Sequence, residues 1–416
     1  MRHGSFVFAS TILVNAFNYL FHVVISRKIG VESYGALSSM IALFTVVSIP
    51  ASIGQTIVAK YTAEFWAAGE IDRLRASMSG VLRAFFIASV AATALFAGAS
   101  PTIGRALQIG DTPALLLFSL AIGANVLLPL LRGALQGRQD FGSYAVSIAS
   151  EACGKALLGI VLVYAGFGLF GAVGGFAAGS LIALAYTTLA CNLRFGKASR
   201  SEAPLDLRRL LQTAGGVSIA TSVLTVIGFA DILLVKHFLS PSAAGIYGAV
   251  SLIGKILFFV AAFVPTIILP KATHLAAIGR APKMLLLEAA LALGATSGVG
   301  LALFSVFPAR IVEIVAGQSF AQAALYIFPY GAAMMLLAAT SVAVSYKIGL
   351  HRFDFVIPLI VVAVGEIATI IARHATLDQV IQVILIGHGA AFVGSLYRIT
   401  MPLPTLQRLP LTKEVA

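Results

Sequence analysis

Long apolar stretches separated by short polar connectors run through the whole chain. A helix that crosses a bilayer needs about 20 predominantly apolar residues. Twelve stretches reach this length, near residues 5–26, 35–58, 78–99, 113–132, 143–165, 168–190, 211–237, 246–269, 284–307, 322–346, 354–373 and 379–401. The pattern predicts an all-α integral membrane protein with twelve transmembrane helices.

The composition supports a membrane protein rather than a soluble one. Hydrophobic residues make up 59% of the chain and charged residues only 11%, whereas soluble domains carry about 25% charged residues. Cys153 and Cys191 both lie inside apolar stretches, which suits small packing residues better than a disulfide framework or a metal site. The first stretch, from Ser5 to about Ser26, is too long for a cleavable signal peptide, so we interpret it as the first span.

The net charge of +12 does not indicate nucleic-acid binding, because the basic residues recur in short connectors instead of clustering. With the N-terminus inside, 20 of the 28 Lys and Arg residues fall on the inner side and 6 on the outer side. Lys155 and Lys255 lie deeper in spans. This positive-inside bias predicts an even number of spans with both termini in the cytoplasm.

Several short segments recur at a nearly constant distance along the chain. Tyr34–Ser38 parallels Tyr247–Ser251 at a shift of 213 residues, and Arg138–Phe141 parallels Arg352–Phe355 at a shift of 214. The further matches are Asn18 with Asp231, Leu20 with Leu233, and Pro50 with the nearby Pro265. Halves of six spans insert in the same direction, so we expect a pseudo-two-fold axis along the membrane normal.

The most polar connector, Asn192–Arg209, lies at mid-chain and predicts a cytoplasmic linker. We therefore expect an N-terminal six-helix lobe at residues 1–191, the linker at 192–209, a C-terminal six-helix lobe at 210–403 and a cytoplasmic tail at 404–416. Transporters built from such repeats bind their substrate between the lobes.

Five segments of the sequence resemble a known family. They are Ser26–Gly35, Gly54–Glu64, Gly69–Leu74, Gly137–Phe141 and Ala244–Gly248. These segments look like loop and packing motifs of the O-antigen-type oligosaccharide flippases, which belong to the multidrug/oligosaccharidyl-lipid/polysaccharide exporter superfamily. The resemblance covers nearly the whole chain.

The resemblance implies a MATE-like fold, in which two six-helix lobes form a V around a central cavity and work by alternating access. It also implies export of an undecaprenyl-diphosphate-linked glycan across the bacterial inner membrane, for polysaccharide biosynthesis. The expected partners are the lipid-linked glycan and the bilayer. A polysaccharide polymerase or glycosyltransferases stay open as protein partners.

Motifs of enzymes and cofactor sites are missing from the sequence. There is no G-x-x-x-x-G-K-[ST], H-E-x-x-H or C-x-x-C. Gly166–Gly171 is a literal G-x-G-x-x-G, but it lies between two spans without a βαβ context. We therefore expect no enzyme, cofactor or metal site. Small-residue faces, Gly171–Gly179 on span six and Gly294–Gly298 on span nine, predict helix packing.

The candidate site consists of polar and ionisable residues at membrane depth, where a charge is costly and usually faces a cavity or a partner. The candidates are Lys155, Glu151, Glu366, Lys255, Asp231, Asn18 and Arg83. The cations would hold a diphosphate, and groups such as Asn18 and Glu366 would hydrogen-bond the sugars.

An alternative reading assigns the same residues to internal neutralisation. Glu151 and Lys155 share one helix face at i,i+4, so they would pair only with each other. Asp231 would pair only with Lys255, because both lie near the outer end of adjacent spans. Arg83 lies close enough to the inner face to snorkel, and His22 suits a packed helix residue.

Three functions follow from these patterns. The leading one is a flippase for a polyprenyl-diphosphate-linked oligosaccharide. The second is a multidrug cation antiporter of the same superfamily. Such antiporters are expected to carry an acidic residue on the first span, where this sequence has Asn15 and Asn18. The third is a non-transporting membrane subunit of a polysaccharide synthase, which the ionisable residues at mid-membrane disfavour.

Overall fold

Helices form all the regular secondary structure in the part of the chain that the computed structural model describes, residues 2–195, 207–277 and 283–399. The first half contains α1 (Arg2–Ile29), α2 (Val31–Val47), α3 (Ile49–Ala67), α4 (Ile71–Ala106), α5 (Thr112–Gly137), α6 (Phe141–Leu162) and α7 (Gly168–Phe195). The second half contains α8 (Leu207–Phe238), α9 (Pro241–Ala261), α10 (Phe263–Ala277), α11 (Lys283–Leu293), α12 (Val299–Val306), α13 (Pro308–Val315), α14 (Ile327–Gly349), α15 (Val356–Ala372) and α16 (Leu377–Leu396).

The all-α membrane fold predicted from the sequence is confirmed. Within the described ranges, eight helical stretches are long and apolar enough to cross a membrane, and nine if α2 and α3, which meet at 42°, form one bent span. Helix α15, with 17 residues, falls just below the length required of a span. The count of twelve stays a prediction. The predicted linker and C-terminal tail lie largely outside the described residues.

The predicted hairpin between the fifth and sixth spans is present. Helices α6 and α7 are joined through a π-helical segment, Val163–Phe167, and the chain turns at Gly166 and Gly168, which have φ values of +94° and +49°. The helices pack antiparallel with glycine at the contact: a Cβ on Gly175 would lie 2.2 Å from Gly159. The packing role predicted for the Gly171–Gly179 face is therefore confirmed.

The matching prediction for Gly294–Gly298 is wrong. These residues form a π-helical segment between α11 and α12. A Cβ on Gly294 or Gly298 would meet no atom within 4 Å, so neither glycine mediates a close helix contact. Spacing alone identified small residues on one face, but not whether another helix lies against that face.

Short side chains in the connectors fix where several helices begin. The carboxylate of Asp111 accepts a hydrogen bond from the amide of Ala114, and that of Asp140 from the amide of Ser143. The Thr376 hydroxyl accepts one from the amide of Gln379. Each bond satisfies an amide that has no partner within the helix.

The two halves meet through the first turns of α2 and α9. A Cβ on Gly35 would lie 2.7 Å from the nitrogen of Gly245, and a Cβ on Gly245 would lie 2.1 Å from the oxygen of Val31. Only glycine permits helices to approach this closely. The repeated segments Tyr34–Ser38 and Tyr247–Ser251 therefore lie at the contact between the halves.

Hydrogen bonds close this same end of the molecule from both sides. From α1, Ser26 Oγ donates to the carbonyl of Ala316 at 3.4 Å, and the Arg27 guanidinium donates to the carbonyls of Glu313 and Ile314. On the other side, Gln108 Nε2 donates to the carbonyl of His237 at 2.9 Å. We call this the closed end.

The contacts at the closed end follow the internal repeat. In each case the end of a half's first long helix, α1 or α8, meets the chain at or just after the end of α13 or α4 in the other half. At the opposite end, the ion pairs Arg132–Glu151 and Lys347–Asp354 each join residues of one half.

Candidate functional site

The candidate residues separate into two polar clusters, one in each half. The first-half cluster contains Asn18, Lys155, Glu151 and Arg132. The second-half cluster contains Asp231, Tyr247, Tyr330, Lys255, Glu366 and His388. Arg83 is exposed on α4, as its predicted position near the inner face suggested. His22 is packed against Tyr34, with its Nδ1 3.1 Å from the hydroxyl.

Lys155 lies between three helices of the first half. From α6 its ammonium group donates a hydrogen bond to the side-chain oxygen of Asn18 on α1. It also lies 5.3 Å from the ring centre of Phe21 and 5.5 Å from that of Phe176 on α7. Aromatic faces attract a cation without neutralising it. None of these three neighbours carries a negative charge, so none would neutralise a charged ammonium at Lys155.

The predicted pairing of Glu151 with Lys155 alone is wrong. Glu151 Oε2 lies 2.8 Å from the guanidinium of Arg132 on α5, and Ser180 Oγ donates to Oε1 at 3.3 Å. Arg132 also donates to Ser147 through two bonds of 2.9 Å. The i,i+4 spacing placed Glu151 and Lys155 on one face, but a cation from a neighbouring helix takes the carboxylate. No carboxylate of the described residues forms a salt bridge with Lys155.

Asp231 is buried on α8 and held by two tyrosines. Its Oδ2 accepts hydrogen bonds from Tyr247 at 2.6 Å and Tyr330 at 2.8 Å, while Oδ1 has no hydrogen-bond partner. The Ser251 hydroxyl lies 3.1 Å from that of Tyr330 and extends the network.

The predicted pairing of Asp231 with Lys255 is also wrong as a direct contact. The Lys255 ammonium lies 4.1 Å from the ring centre of Phe229 and has no hydrogen-bond partner. Its side chain is buried. The two residues interact only at longer range, through their charges.

Glu366 and His388 face each other between α15 and α16. Glu366 Oε2 lies 3.8 Å from His388 Nε2, and His388 Nδ1 lies 3.0 Å from the carbonyl oxygen of Ala333 on α14. The carboxylate occupies space that Gly387 leaves free, since a Cβ there would lie 2.2 Å from Oε2. Glu366 also lines a cavity of about 870 Å³ between these helices.

Sequence analysis missed Arg132, Tyr247, Tyr330 and His388 as members of these clusters. Tyr247 carried a signal, because it belongs to the repeated segment. His388 also carried one, as an ionisable ring in the middle of the twelfth apolar stretch. Arg132 ends the apolar stretch near 113–132, where a basic residue is expected on the inner side, and Tyr330 gave no signal above an ordinary core tyrosine.

In the turn between α14 and α15, the second copy of the Arg-x-Asp-Phe motif forms an ion-pair network. Asp354 lies 3.0 Å from the Lys347 ammonium and 2.8 Å from the Arg352 guanidinium. Burial by itself would raise the pKa of the Asp354 carboxyl, but hydrogen bonds and charges from Lys347 and Arg352 hold this pKa below its usual value. The network fixes the turn between α14 and α15.

Within the described ranges, no group of three or more His, Cys, Asp or Glu side chains is placed to hold a metal ion. The polar clusters consist of cations, carboxylates and hydroxyls, together with the Asn18 carboxamide and the His388 imidazole. They are suited to binding charged or polar ligands and to exchanging protons.

Comparison with known proteins identifies the fold. No family model matches the chain, and no curated protein sequence matches it. An inward-facing multidrug-resistance MATE family transporter of the MOP superfamily superposes with a TM-score of 0.77 at 15% identity, covering 93% of this chain and 94% of that one. The lipid II flippase MurJ, in an inward closed conformation, gives 0.74 at 12% identity, covering 96% and 87%.

An outward-facing MATE family transporter gives a lower TM-score of 0.61 at 14% identity, covering 95% of this chain and 94% of that one. At sequence identities of 12–15%, the similarity to these structures shows the fold alone. This chain has a MATE-like fold.

Proposed function

We propose that this protein flips a polyprenyl-diphosphate-linked oligosaccharide across the bacterial inner membrane. The N-terminal lobe, residues 1–191, and the C-terminal lobe, residues 210–403, would alternate in exposing a central cavity to either side. Both termini, with the linker at 192–209 and the tail at 404–416, would lie in the cytoplasm. The function is that of a transporter, and it needs no cofactor.

The observation that carries this proposal is the set of groups that surround the Lys155 ammonium. An ammonium group at membrane depth is costly unless a partner compensates its charge, and Lys155 is half-buried. Lys155 has a neutral carboxamide and two aromatic rings around it, while the nearby Glu151 is bound to Arg132. A diphosphate would supply the missing negative charge through charge-assisted hydrogen bonds.

Two further features support alternating access. Besides the packing of α2 against α9, the closed end is held by hydrogen bonds between side chains and carbonyl groups, which can break and re-form without unfolding a helix. The pattern repeats on both sides of the interface, which suits two lobes that rock against each other. The flippase MurJ shares the fold.

A second candidate, a multidrug cation antiporter, is favoured by one specific observation. The second half contains the buried carboxylates Asp231 and Glu366, which could bind a cationic substrate or a coupling ion. Among the described residues, the first half contains no buried carboxylate, and its half-buried Glu151 is bound to Arg132. A non-transporting subunit would have no need of either cluster.

A binding measurement separates these candidates. The purified protein in lipid nanodiscs would be titrated with a polyprenyl-diphosphate oligosaccharide, the matching monophosphate and a lipophilic cationic dye. We expect the diphosphate to bind at least tenfold more tightly than the monophosphate, and Lys155→Ala to abolish that preference while Lys155→Arg keeps part of it.

Lys28→Ala is the matched control, because Lys28 also lies over an aromatic ring, 4.4 Å from the centre of Tyr164, but is exposed. Its removal should leave binding unchanged. Preference for the dye would favour the antiporter, and binding of none of the three ligands would favour a scaffold.

A further inference from the structure

One face of α5 stays open between the helices that surround it, and that face is polar. Helix α5 packs against α3, α4 and α7. Between residues 121 and 137 all of its residues are buried except Asn125, Val126, Pro129, Arg132 and Gln136. Four of these follow one another at spacings of four, three and four residues, which places them on a single helix face. An open stripe with three polar side chains thus runs along an otherwise buried stretch of helix.

Glycines on α5 bring α3 close to this stripe. A Cβ on Gly133 would lie 2.4 Å from the carbonyl oxygen of Gln55, and a Cβ on Gly137 would lie 2.4 Å from that of Ala59. This close approach brings two side-chain amides together, and Gln55 Nε2 donates a hydrogen bond to Gln136 Oε1 at 2.9 Å. The amide pair therefore joins α3 and α5 at the edge of the open stripe.

The amides keep hydrogen-bonding capacity that the helices do not use. Within the described ranges, the bond between Gln55 and Gln136 is the only hydrogen bond of either side chain, and neither amide contains a buried atom without a partner. Gln55 Oε1 and the amide hydrogens of Gln136 are therefore accessible. Asn125 donates from its amide nitrogen to Ser48 Oγ and likewise leaves its oxygen accessible.

The adjoining face of α3 adds two hydroxyl groups. Ser52 and Thr56 are exposed, and they donate hydrogen bonds to carbonyls of their own helix at 2.8 and 3.2 Å. Each hydroxyl oxygen keeps lone pairs for a donor from outside the helix. Both residues share a face with Gln55, since the spacings are three and four residues or less. We call Ser52, Gln55, Thr56, Asn125 and Gln136 the amide groove.

The amide groove carries no charge of its own. Arg132, which lies on the same face of α5, is paired with Glu151 at 2.8 Å. Lys155 lies one helical turn from Glu151 along α6. The groove also lies near the second half, because α3 contacts α8. A ligand with a diphosphate at Lys155 would therefore meet neutral hydrogen-bonding groups beside it.

We propose that the amide groove binds the sugars that adjoin the diphosphate and selects uncharged ones. Sugar hydroxyls would donate to the accessible oxygens of the groove, and the Gln136 amide nitrogen would donate to a sugar oxygen. The stripe from Asn125 to Gln136 rises about 16 Å along α5, which suits a short oligosaccharide. An acidic sugar would meet no unpaired cation among these residues and would lose hydration without compensation. This inference rests on the proposed function, because it concerns the glycan of the same substrate.

The binding of three polyprenyl-diphosphate lipids to the purified protein in nanodiscs tests this site. The first lipid carries no sugar, the second carries a neutral N-acetylhexosamine disaccharide, and the third carries a disaccharide with a hexuronic acid. We expect the neutral glycolipid to bind about tenfold more tightly than the bare lipid, since each net hydrogen bond strengthens binding about two- to tenfold. The acidic glycolipid should bind no more tightly than the bare lipid.

Two variants remove groove contacts and keep the size of the side chain. Gln136→Met removes the amide, and Thr56→Val removes a hydroxyl oxygen. Each should weaken binding of the neutral glycolipid about two- to tenfold and leave binding of the bare lipid unchanged. If the bond between Gln55 and Gln136 only held α3 against α5, Gln136→Met would weaken the binding of both lipids equally.

The matched controls make the same substitutions outside the groove. Gln318→Met removes an exposed amide that donates to Glu313 at 2.9 Å near the closed end. Thr188→Val removes a hydroxyl on α7 that donates to the carbonyl of Leu184. Neither change should alter the ratio of the affinities for the neutral and bare lipids.

Three results would overturn the glycan site and leave the proposed function standing. They are equal binding of the bare and neutral lipids by the natural protein, tighter binding of the acidic glycolipid than of the neutral one, and an unchanged affinity ratio in both groove variants. If Gln136→Met does not fold, Thr56→Val and the comparison of the three lipids still decide the matter. Failure of all three lipids to bind would overturn the proposed function, and the glycan site with it.

Discussion

The two halves place different chemistry on positions that the repeat makes equivalent. Asn18 in the first half corresponds to Asp231 in the second, and Tyr34 corresponds to Tyr247. Asn18 accepts a hydrogen bond from an ammonium group, whereas Asp231 accepts from two hydroxyls. One scaffold thus carries a cation-centred cluster on one side and a carboxylate-centred cluster on the other.

The clusters also differ in how completely their polar atoms are satisfied. In the first half, Glu151 and Arg132 are paired, and Lys155 is bonded to Asn18. In the second-half cluster, buried atoms of four side chains have no hydrogen-bond partner: Asp231 Oδ1, Lys255 Nζ, Glu366 Oε2 and His388 Nε2. Unpaired buried polar atoms are rare and costly, which suits a site whose charge changes during a working cycle.

The largest effect is expected from making the first half resemble the second. Asn18→Asp would place a carboxylate against Lys155 and neutralise its charge by a direct ion pair. We expect diphosphate binding to fall by at least tenfold, as measured by titration in nanodiscs. Asn15→Asp, on the exposed side of α1, is the control and should bind normally. Equal loss in both variants would contradict a specific role for Lys155.

The converse change separates charge from hydrogen bonding in the second half. Asp231→Asn keeps an oxygen for Tyr247 and Tyr330, while Asp231→Leu leaves both buried hydroxyls without an acceptor. Each unsatisfied group costs about 1–3 kcal/mol. We expect thermal unfolding to occur at a clearly lower temperature in the Leu variant than in the Asn variant. Identical midpoints would show that the tyrosines do not depend on Asp231.

The closed end provides a third test, because its contacts should exist in only one of the alternating states. Arg27→Ala combined with Gln108→Ala removes donors on both sides of the interface. We expect cysteines at Val24 and Lys236, in a background with Cys153 and Cys191 replaced, to cross-link less efficiently in this variant. Neighbouring pairs should be scanned as well, since a disulfide requires Cα atoms about 4.4–6.8 Å apart. Unchanged cross-linking at every pair would mean that these bonds do not hold the end closed.

The smallest effect concerns the turn at Asp354, which belongs to the repeated motif. The pKa of the Asp354 carboxyl is lower in the folded protein than in the unfolded chain. Ionised Asp354 therefore stabilises the protein above about pH 4, and this stabilisation is lost as the pH falls through the pKa of the carboxyl in the folded protein. Asp354→Asn should therefore lower the melting temperature at pH 7. The difference in melting temperature between this variant and the natural protein should become smaller in acid. Asp72→Asn, whose side chain is 89% exposed, is the control.

The sequence predicted the helices well because hydrophobic length is a property of the local chain. The stretch near 113–132 lies inside α5, and that near 284–307 corresponds to α11 and α12 with only a π-helical segment between them. The repeated segments Tyr34–Ser38 and Tyr247–Ser251 lie where the halves meet, although the repeat alone predicted only a two-fold relation between the halves.

Partners between helices could not be predicted in the same way. The i,i+4 spacing of Glu151 and Lys155 describes one helix, but Arg132 reaches Glu151 from α5. His388 meets Glu366 across two helices whose relative rotation no local pattern encodes. The candidate residues could therefore be identified from the sequence, whereas the partner of each one depends on how the helices pack against each other.

The proposed function requires Lys155 in the first half to bind a diphosphate while it crosses the membrane. The direct measurement is the flipping rate of a fluorescent polyprenyl-diphosphate oligosaccharide in proteoliposomes containing the purified protein, followed as label becomes accessible to a quencher on one side. We predict rapid flipping by the natural protein and by Lys28→Ala, partial flipping by Lys155→Arg, and a rate for Lys155→Ala no higher than that of protein-free vesicles. A Lys155→Ala protein that flips the lipid at the natural rate would contradict the account.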